Sequence, residues 1–258
     1  MVDWIQLLPM FLLVFVRMLA FLMTMPLFSY RNIPAMFKVG IALFLAWILT
    51  FSLEPEIILF DGTYVILIMK EVLVGLMVGL IAMVLLYAIQ AAGAFIDVKI
   101  GFLIANIVDP QTGAQSPLIG SYLYTFALLF MLATNGHHLL IDGMYYSYQF
   151  IPLNQPFLNV SDENMIELIA TTLNTMFIIA FQMAFPLVGS LFLVDVALGM
   201  VSRAVPQMNV FVVGMPLKIL VGLPLLMIFM GVFFMSVSYL FERMLETMRA
   251  MMAILGGT

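Results

Sequence analysis

Charge and cysteine are what this sequence has least of. Charged residues make up 9% of its 258 residues, whereas an average soluble domain has about a quarter. A chain so poor in charge cannot cover a whole surface with water-soluble groups, which excludes an ordinary soluble enzyme. Cysteine is absent, and this excludes a disulfide framework, a thiolate metal site and a cysteine nucleophile.

Basic residues are equally sparse. The nine Lys and Arg residues are scattered singly, and the formal net charge is −5. No positive stripe is therefore available for a phosphate backbone, which excludes nucleic acid as a partner. Nucleophile-elbow, P-loop and dinucleotide motifs are also missing, so we expect no enzyme activity and no cofactor.

Two adjacent histidines are the residues closest to a metal motif. His137 and His138 diverge by about 100° on a helix, and only His138 with Asp142 has the spacing of a ligand pair. A zinc site would still lack ligands. We favour the alternative, in which Asn135 caps a helix start and the histidines lie near the membrane interface.

Apolar residues are what the sequence has in excess. They form 65% of the chain, about 168 residues, whereas six membrane-spanning helices need only about 120. We therefore predict an all-α, polytopic membrane protein with about six long hydrophobic helices, in a single domain over residues 1–258. The apolar stretches are Ile5–Phe28, Phe37–Leu53, Tyr64–Ile89, Leu118–Ala133, Met176–Val201 and Ile219–Leu240.

Basic residues near the first connection indicate the topology. Arg31 and Lys38 flank this connection, which the positive-inside rule places in the cytoplasm.

Charged residues interrupt several apolar stretches. Arg17 lies in the middle of the first stretch, where an arginine costs about 2.5–3.5 kcal/mol on the insertion scale. No acid in that stretch can pair with it, so we expect an acidic or carbonyl partner on another helix or subunit. The other interruptions are Lys70, Glu71, Asp97, Lys99, Asp195 and Lys218. An ion or proton relay is the alternative, but their scattered spacing favours contacts that hold an assembly together.

Small residues mark a further contact. Gly75 and Gly79 form a small-xxx-small pair, which lets helix backbones approach closely in a membrane.

Several blocks of sequence together resemble one known family. They run from Leu7 to Lys218 and include Met25-Pro26-Leu27-Phe28-Ser29-Tyr30-Arg31, Glu71-Val72, Asp109-Pro110-Gln111, Asn135-Gly136-His137 and Pro206-Gln207-Met208-Asn209-Val210-Phe211. In these residues the chain is similar to the FliR family of flagellar export-gate subunits, and more loosely to their virulence-secretion homologues.

The resemblance implies a fold and a function. Members resemble a fusion of the companion subunits FliP and FliQ, and they join copies of both in a spiral of bent helical hairpins. The implied function is a passive channel for unfolded flagellar proteins, in the bacterial cytoplasmic membrane at the flagellar basal body. Implied partners are FliP-like and FliQ-like chains, FlhB- and FlhA-like export components, and membrane lipid.

The resemblance also implies two sets of site residues. A pore-plugging loop would contain Ile104, Asn106, Ile107, Val108, Asp109, Pro110, Gln111, Thr112 and Gly113. An ordinary connecting loop is the alternative for this segment. Contacts between helices or subunits would involve Arg17, Glu71, Gly75, Gly79, Asp195, Arg203 and Lys218.

Two other functions stay open at this point. An ion-coupled secondary transporter would have broken helices at matching positions of two inverted halves, and we find no matched halves. An insertion scaffold without a pore differs from an export gate only in whether the assembled complex conducts.

Overall fold

Long α-helices account for most of the chain. The structure, a computed structural model, describes residues 4–29, 33–54, 58, 60–102, 117–159, 163–207 and 209–257. Within these ranges there is no β-strand. The helices are α1 (Trp4–Thr24), α2 (Ala35–Ser52), α3 (Gly62–Ile100), α4 (Leu118–Ala133), α5 (Gly136–Phe150), α6 (Glu163–Ala204) and α7 (Val210–Gly256).

Helix boundaries follow from local chemistry. Pro34 and Pro117 immediately precede α2 and α4, where a fixed φ and a missing N–H cost nothing. The Asp61 carboxylate accepts a hydrogen bond of 3.0 Å from the Thr63 backbone N–H at the start of α3. A second hydrogen bond, from the Thr63 hydroxyl, holds the pKa of the Asp61 carboxyl below its ordinary value.

Asn135 does not act as the side-chain cap that we expected. It lies between α4 and α5 with φ 57°, in the left-handed region, and its side chain makes no capping hydrogen bond. Asparagine tolerates this conformation better than most residues, and here it lets the chain turn between two helices. Asn135 therefore contributes to the turn through its backbone conformation and not through a side-chain cap.

The long hydrophobic helices that hydropathy predicts are present. Five helices are long and apolar enough to cross a membrane, or six when α4 and α5 count as one broken span. This confirms an all-α, polytopic membrane protein. The predicted lengths were wrong, however, because α3, α6 and α7 have 39, 42 and 47 residues. Apolar stretches end at charged residues, but a charged residue does not end a helix.

The chain folds into two compact units. Unit 1 comprises Met1–Leu85, Asn135–Leu173 and Phe241–Thr258, and unit 2 comprises Leu86–Thr134 and Asn174–Leu240. The core of unit 1 includes the fully buried Leu13, Phe21, Val78, Met144 and Met252. The core of unit 2 includes the fully buried Ile89, Ile100, Met131, Leu191 and Leu240. The single membrane domain stays a prediction.

In unit 1, the two glycines of α3 lie against α1. A Cβ added to Gly75 would meet the Cβ of Ala20 at 2.8 Å, and one added to Gly79 would meet the Cβ of Thr24 at 3.0 Å. The Arg17 backbone oxygen lies closer still to the added Cβ of Gly75, and the Phe21 backbone oxygen lies 3.1 Å from that of Gly79. Any side chain at either position would therefore push the two helices apart.

Unit 2 contains a second close contact, between α3 and α4. Gly93 faces Gly120 across the contact, with no room for a Cβ on either residue. One turn further along α3, the buried Asp97 carboxylate accepts hydrogen bonds of 3.1 and 3.2 Å from the Ile119 N–H. This acid therefore caps the first turn of α4, whose own preceding residue, Pro117, provides no side-chain cap.

The Gly75/Gly79 contact can be tested by enlarging both residues. We expect Gly75→Leu with Gly79→Leu to lower the yield of folded protein severalfold, because α1 cannot approach α3. The measurement is the monodisperse fraction in detergent. Gly40→Leu is the matched control, since a Cβ at Gly40 meets no atom within 4 Å. A double variant that matches the Gly40 control would contradict the contact.

Candidate functional site

Arg17 lies at the centre of a buried polar cluster in unit 1. Its guanidinium makes a bidentate ion pair with Glu71, in which Nη2 is 2.9 Å from Oε1 and Nε binds Oε2. Arg17 also donates to the Ser147 hydroxyl at 3.0 Å and to the Ile151 carbonyl at 2.9 Å. The face of the Tyr148 ring lies 4.1 Å from the guanidinium carbon. Arg17 thus has the acidic and carbonyl partners that we expected.

Lys70 extends this cluster. Its ammonium nitrogen lies 2.6 Å from Oε1 of Glu71, the same oxygen that accepts the hydrogen bond from Nη2 of Arg17. It also donates to the carbonyls of Pro152 and Leu153 at 2.8 and 3.2 Å. Two cations therefore share one carboxylate, and backbone carbonyls help to stabilise the additional positive charge.

Three helices supply the buried cluster. Arg17 comes from α1, Glu71 from α3 and Ser147 from α5. Both Arg17 and Glu71 are fully buried, so each charge is stabilised only by the groups of unit 1. Sequence reasoning missed Ser147 and Tyr148, because a serine and a tyrosine within an apolar helix give no signal of their own.

A second charge cluster lies in unit 2 and is half-exposed. Asp195 on α6 forms an ion pair with Lys218 on α7, and its other oxygen lies 3.8 Å from Nζ of Lys99 on α3. Lys99 also lies over the ring of Phe192 at 5.7 Å. The three charged side chains keep between 24% and 35% of their surface exposed. A cavity of about 320 Å³ adjoins Asp195 and Lys218.

The other predicted site residues are distributed as follows. Gly75 and Gly79 pack against α1, whereas Arg203 is exposed in the last turn of α6 and makes no ion pair among the described residues. A cation there complements the helix dipole. The predicted plug residues, Ile104 and Asn106–Gly113, lie outside the described residues.

The two histidines lie together without other ligands. Their ring centroids are 4.2 Å apart, and within the described ranges no group of three or more His, Cys, Asp and Glu residues could hold a metal ion.

Comparison with known proteins identifies the family. The sequence profile of the family described as "Bacterial export proteins, family 1" matches residues 8–244. The chain belongs to this family. The matched residues include both charge clusters and extend beyond Lys218, where the resemblance read from individual residues ended.

Relatives in this family come from flagellar and virulence systems. The chain is 54% identical to the flagellar biosynthetic protein FliR of Bacillus subtilis over 98% of each chain. It is 28% identical to FliR of Escherichia coli over 87% of this chain and 85% of that one. It is 30% identical to the Yop proteins translocation protein T of Yersinia pestis over 68% of this chain and 67% of the relative.

The buried cluster predicts the effect of removing its arginine. We expect Arg17→Leu to destabilise the fold by about 3–5 kcal/mol, because Glu71 loses its bidentate partner in a dry site. The measurements are the amount of chain in the membrane fraction and its thermal stability in detergent. Membrane insertion should change less than stability.

A variant that keeps the charge serves as the control for this prediction. Arg17→Lys keeps the charge balance of Arg17, Lys70 and Glu71 but loses the bidentate geometry, so the loss of stability should be smaller than with Arg17→Leu. An Arg17→Leu variant as stable as the parent would contradict the role of the ion pair.

Proposed function

We propose that the chain is a subunit of the flagellar type III protein export gate. In this proposal it forms, with FliP-like and FliQ-like chains, the channel through which unfolded flagellar proteins are secreted. The names of the relatives support this proposal, and so does the match with B. subtilis FliR over nearly the full length of both chains. The match with the Yersinia protein covers less of this chain than the match with FliR of B. subtilis or of E. coli, which favours a flagellar system over a virulence system.

The observation that carries the proposal is the exposed apolar surface of α6 in unit 2, which a charged side chain interrupts. Large apolar side chains are exposed from Phe177 through Phe181 and Phe192 to Met200. Asp195 lies within this surface, and its side chain is 31% exposed. A charged side chain in a membrane segment normally faces protein or water, because contact with lipid is costly.

Lipid alone therefore does not suit this surface around Asp195. A large exposed apolar patch with polar groups beside it marks an interaction site with another protein. Other subunits of an export complex are the partners that this proposal supplies. A spiral of bent helical hairpins would bring such subunits against long helices.

The remaining parts of the proposal concern location and chemistry. We place the chain in the bacterial cytoplasmic membrane at the flagellar basal body, next to FlhB-like and FlhA-like components. The chain itself forms the wall of a passive channel and carries out no chemical step. The driving chemistry belongs to other components, including the export ATPase. A secondary transporter receives no support from the relatives.

Purification from membranes tests this function. A tagged chain, produced with the other flagellar export components, should retain FliP-like and FliQ-like chains in detergent at a constant ratio. The measurement is mass spectrometry of the purified complex. A chain that purifies alone while the companions assemble without it would overturn the proposal.

We propose further that residues Asn106–Gly113 close the channel between substrates. The resemblance supports this role, and so does the contact in unit 2 between the helices that precede and follow the segment. Gly101 follows the end of α3 with φ 101°, a conformation that favours glycine. Asp97 near the end of α3 holds the first turn of α4 through the Ile119 N–H. One side chain thus joins the end of α3 to the start of α4.

Deleting the segment tests this closure. A channel that admits an unfolded chain must open to about the 10–12 Å width of a helix with side chains, and it would leak ions if left open. We expect deletion of Asn106–Gly113 to raise ion conductance across membranes that contain the assembled complex. Replacement of Asn106–Gly113 by a Gly/Ser sequence of equal length controls for the shorter connection between α3 and α4. Parental conductance in an assembled deletion complex would mean that the seal lies elsewhere.

A further inference from the structure

The charge cluster of unit 2 contains more positive than negative charge. Lys99 and Lys218 both pair with Asp195, and no other acid among the described residues forms an ion pair with either lysine. Lys218 makes the close contact, whereas Lys99 is at 3.8 Å. Among the residues that the structure describes, one positive charge is therefore left uncompensated.

The cavity beside this cluster has mostly apolar walls. Val98, Leu198, Phe211 and Met215 line it together with the charged pair of Asp195 and Lys218. Its volume of about 320 Å³ is large enough to take a side chain. Walls of this kind favour an occupant with an apolar stem and a single polar end.

A glycine at the cavity leaves its opening free. Gly199 on α6 lines the cavity, and a Cβ added there would meet no atom of this chain within 4 Å. A neighbouring helix can therefore approach the backbone of α6 at this point without a clash.

Covering this surface with another protein would remove water from the lysines. Water stabilises the uncompensated charge as long as the cluster is half-exposed. A partner that covered the exposed apolar residues around it would bury one unpaired cation, which is strongly unfavourable. A partner carboxylate would remove that cost, because two lysines and two carboxylates balance.

We propose that this cavity receives an aspartate or glutamate side chain from a companion subunit, which pairs with Lys218 and leaves Asp195 to pair with Lys99. This inference rests on the proposed function, since it requires a companion subunit. An acidic lipid is the weaker candidate, because surfaces that bind anionic headgroups carry clusters of about 4–8 basic residues. Here only two lysines are present, and an acid already lies between them.

The number of charges gives a test whose outcome differs between the free chain and the complex. In the free chain, Lys99→Gln leaves a neutral pair of Lys218 and Asp195, so the fold should be as stable as the parent. In the complex, the same change leaves two carboxylates for one lysine. We expect the affinity for the companion chains to fall about tenfold or more, the range for loss of a buried interfacial charge. Lys99→Arg, which keeps the charge, should retain the companions.

Retention of the companion chains on the tagged protein in detergent is the measurement. If Lys99→Gln retains them as well as the parent, the inference is wrong. A parent chain that retains no companions would instead contradict the proposed function itself, so the two failures are distinguishable. If the Lys99→Gln complex stays intact and loses only bound phospholipid, a lipid is the ligand and the inference is also wrong.

Carbodiimide coupling of the intact complex identifies the partner acid. This reagent joins a lysine amine to a carboxylate in direct contact, and peptide mass spectrometry locates the bond. We expect a bond from Lys218 to an acid of a companion chain. Bonds to acids of this chain alone, in an assembled complex, would overturn the inference. If the reagent couples neither lysine, the Lys99→Gln result decides.

A steric variant tests the same cavity without changing charge. Gly199→Leu should fold normally, because a Cβ there meets no atom of this chain within 4 Å, and it should lose companion chains, because the larger side chain narrows the cavity that the partner enters. Gly189→Leu is the matched control on the same helix, since a Cβ there also meets no atom within 4 Å. Equal retention by both variants would mean that no partner enters at Gly199.

Discussion

The buried pair of Arg17 and Glu71 determines how the helices of unit 1 pack. A guanidinium without access to water needs partners for its N–H groups, and here they come from α3, α5 and the turn after α5. Glu71 and Gly75 are one turn apart on α3 and therefore share a face. The absence of a side chain at Gly75 lets α1 come close enough for Arg17 to reach Glu71. The small size of Gly75 thus permits the close contact of α1 with α3, and the ion pair fixes the register of the two helices.

The same combination recurs in unit 2 with different chemistry. Gly93 and Asp97 are also one turn apart on α3, and they face the start of α4. The glycine allows α4 to approach through Gly120, and the acid then binds a backbone N–H instead of a cation. A helix start presents unpaired N–H groups and a partial positive charge, so one carboxylate can take the place of both a cap and a counter-ion. α3 therefore carries two separate contacts along its length, each with a glycine next to an acid.

Sequence alone predicts the fold class, because composition and apolar runs depend only on local chemistry. It also predicts that Arg17 needs a partner, since burial of an unpaired charge is costly wherever it occurs. It cannot choose Glu71 from the available acids, because that choice depends on which helices pack together. Asp97 and Lys99 illustrate the same limit. They lie near each other in sequence, but residues two positions apart on a helix point about 200° away from each other, so they face different neighbours. Asp97 binds α4 and Lys99 binds Asp195.

Burial separates the roles of the two charge clusters. Arg17 and Glu71 are fully buried and find their partners within unit 1, so a change there acts on the fold of the chain before it acts on any complex. Asp195, Lys99 and Lys218 are half-exposed, and their positive excess is stable only while water or another molecule reaches it. A charge that is fully paired within its own chain does not require a partner subunit. A charge that is incompletely paired, on an exposed apolar surface, has a physical reason to bind a partner subunit.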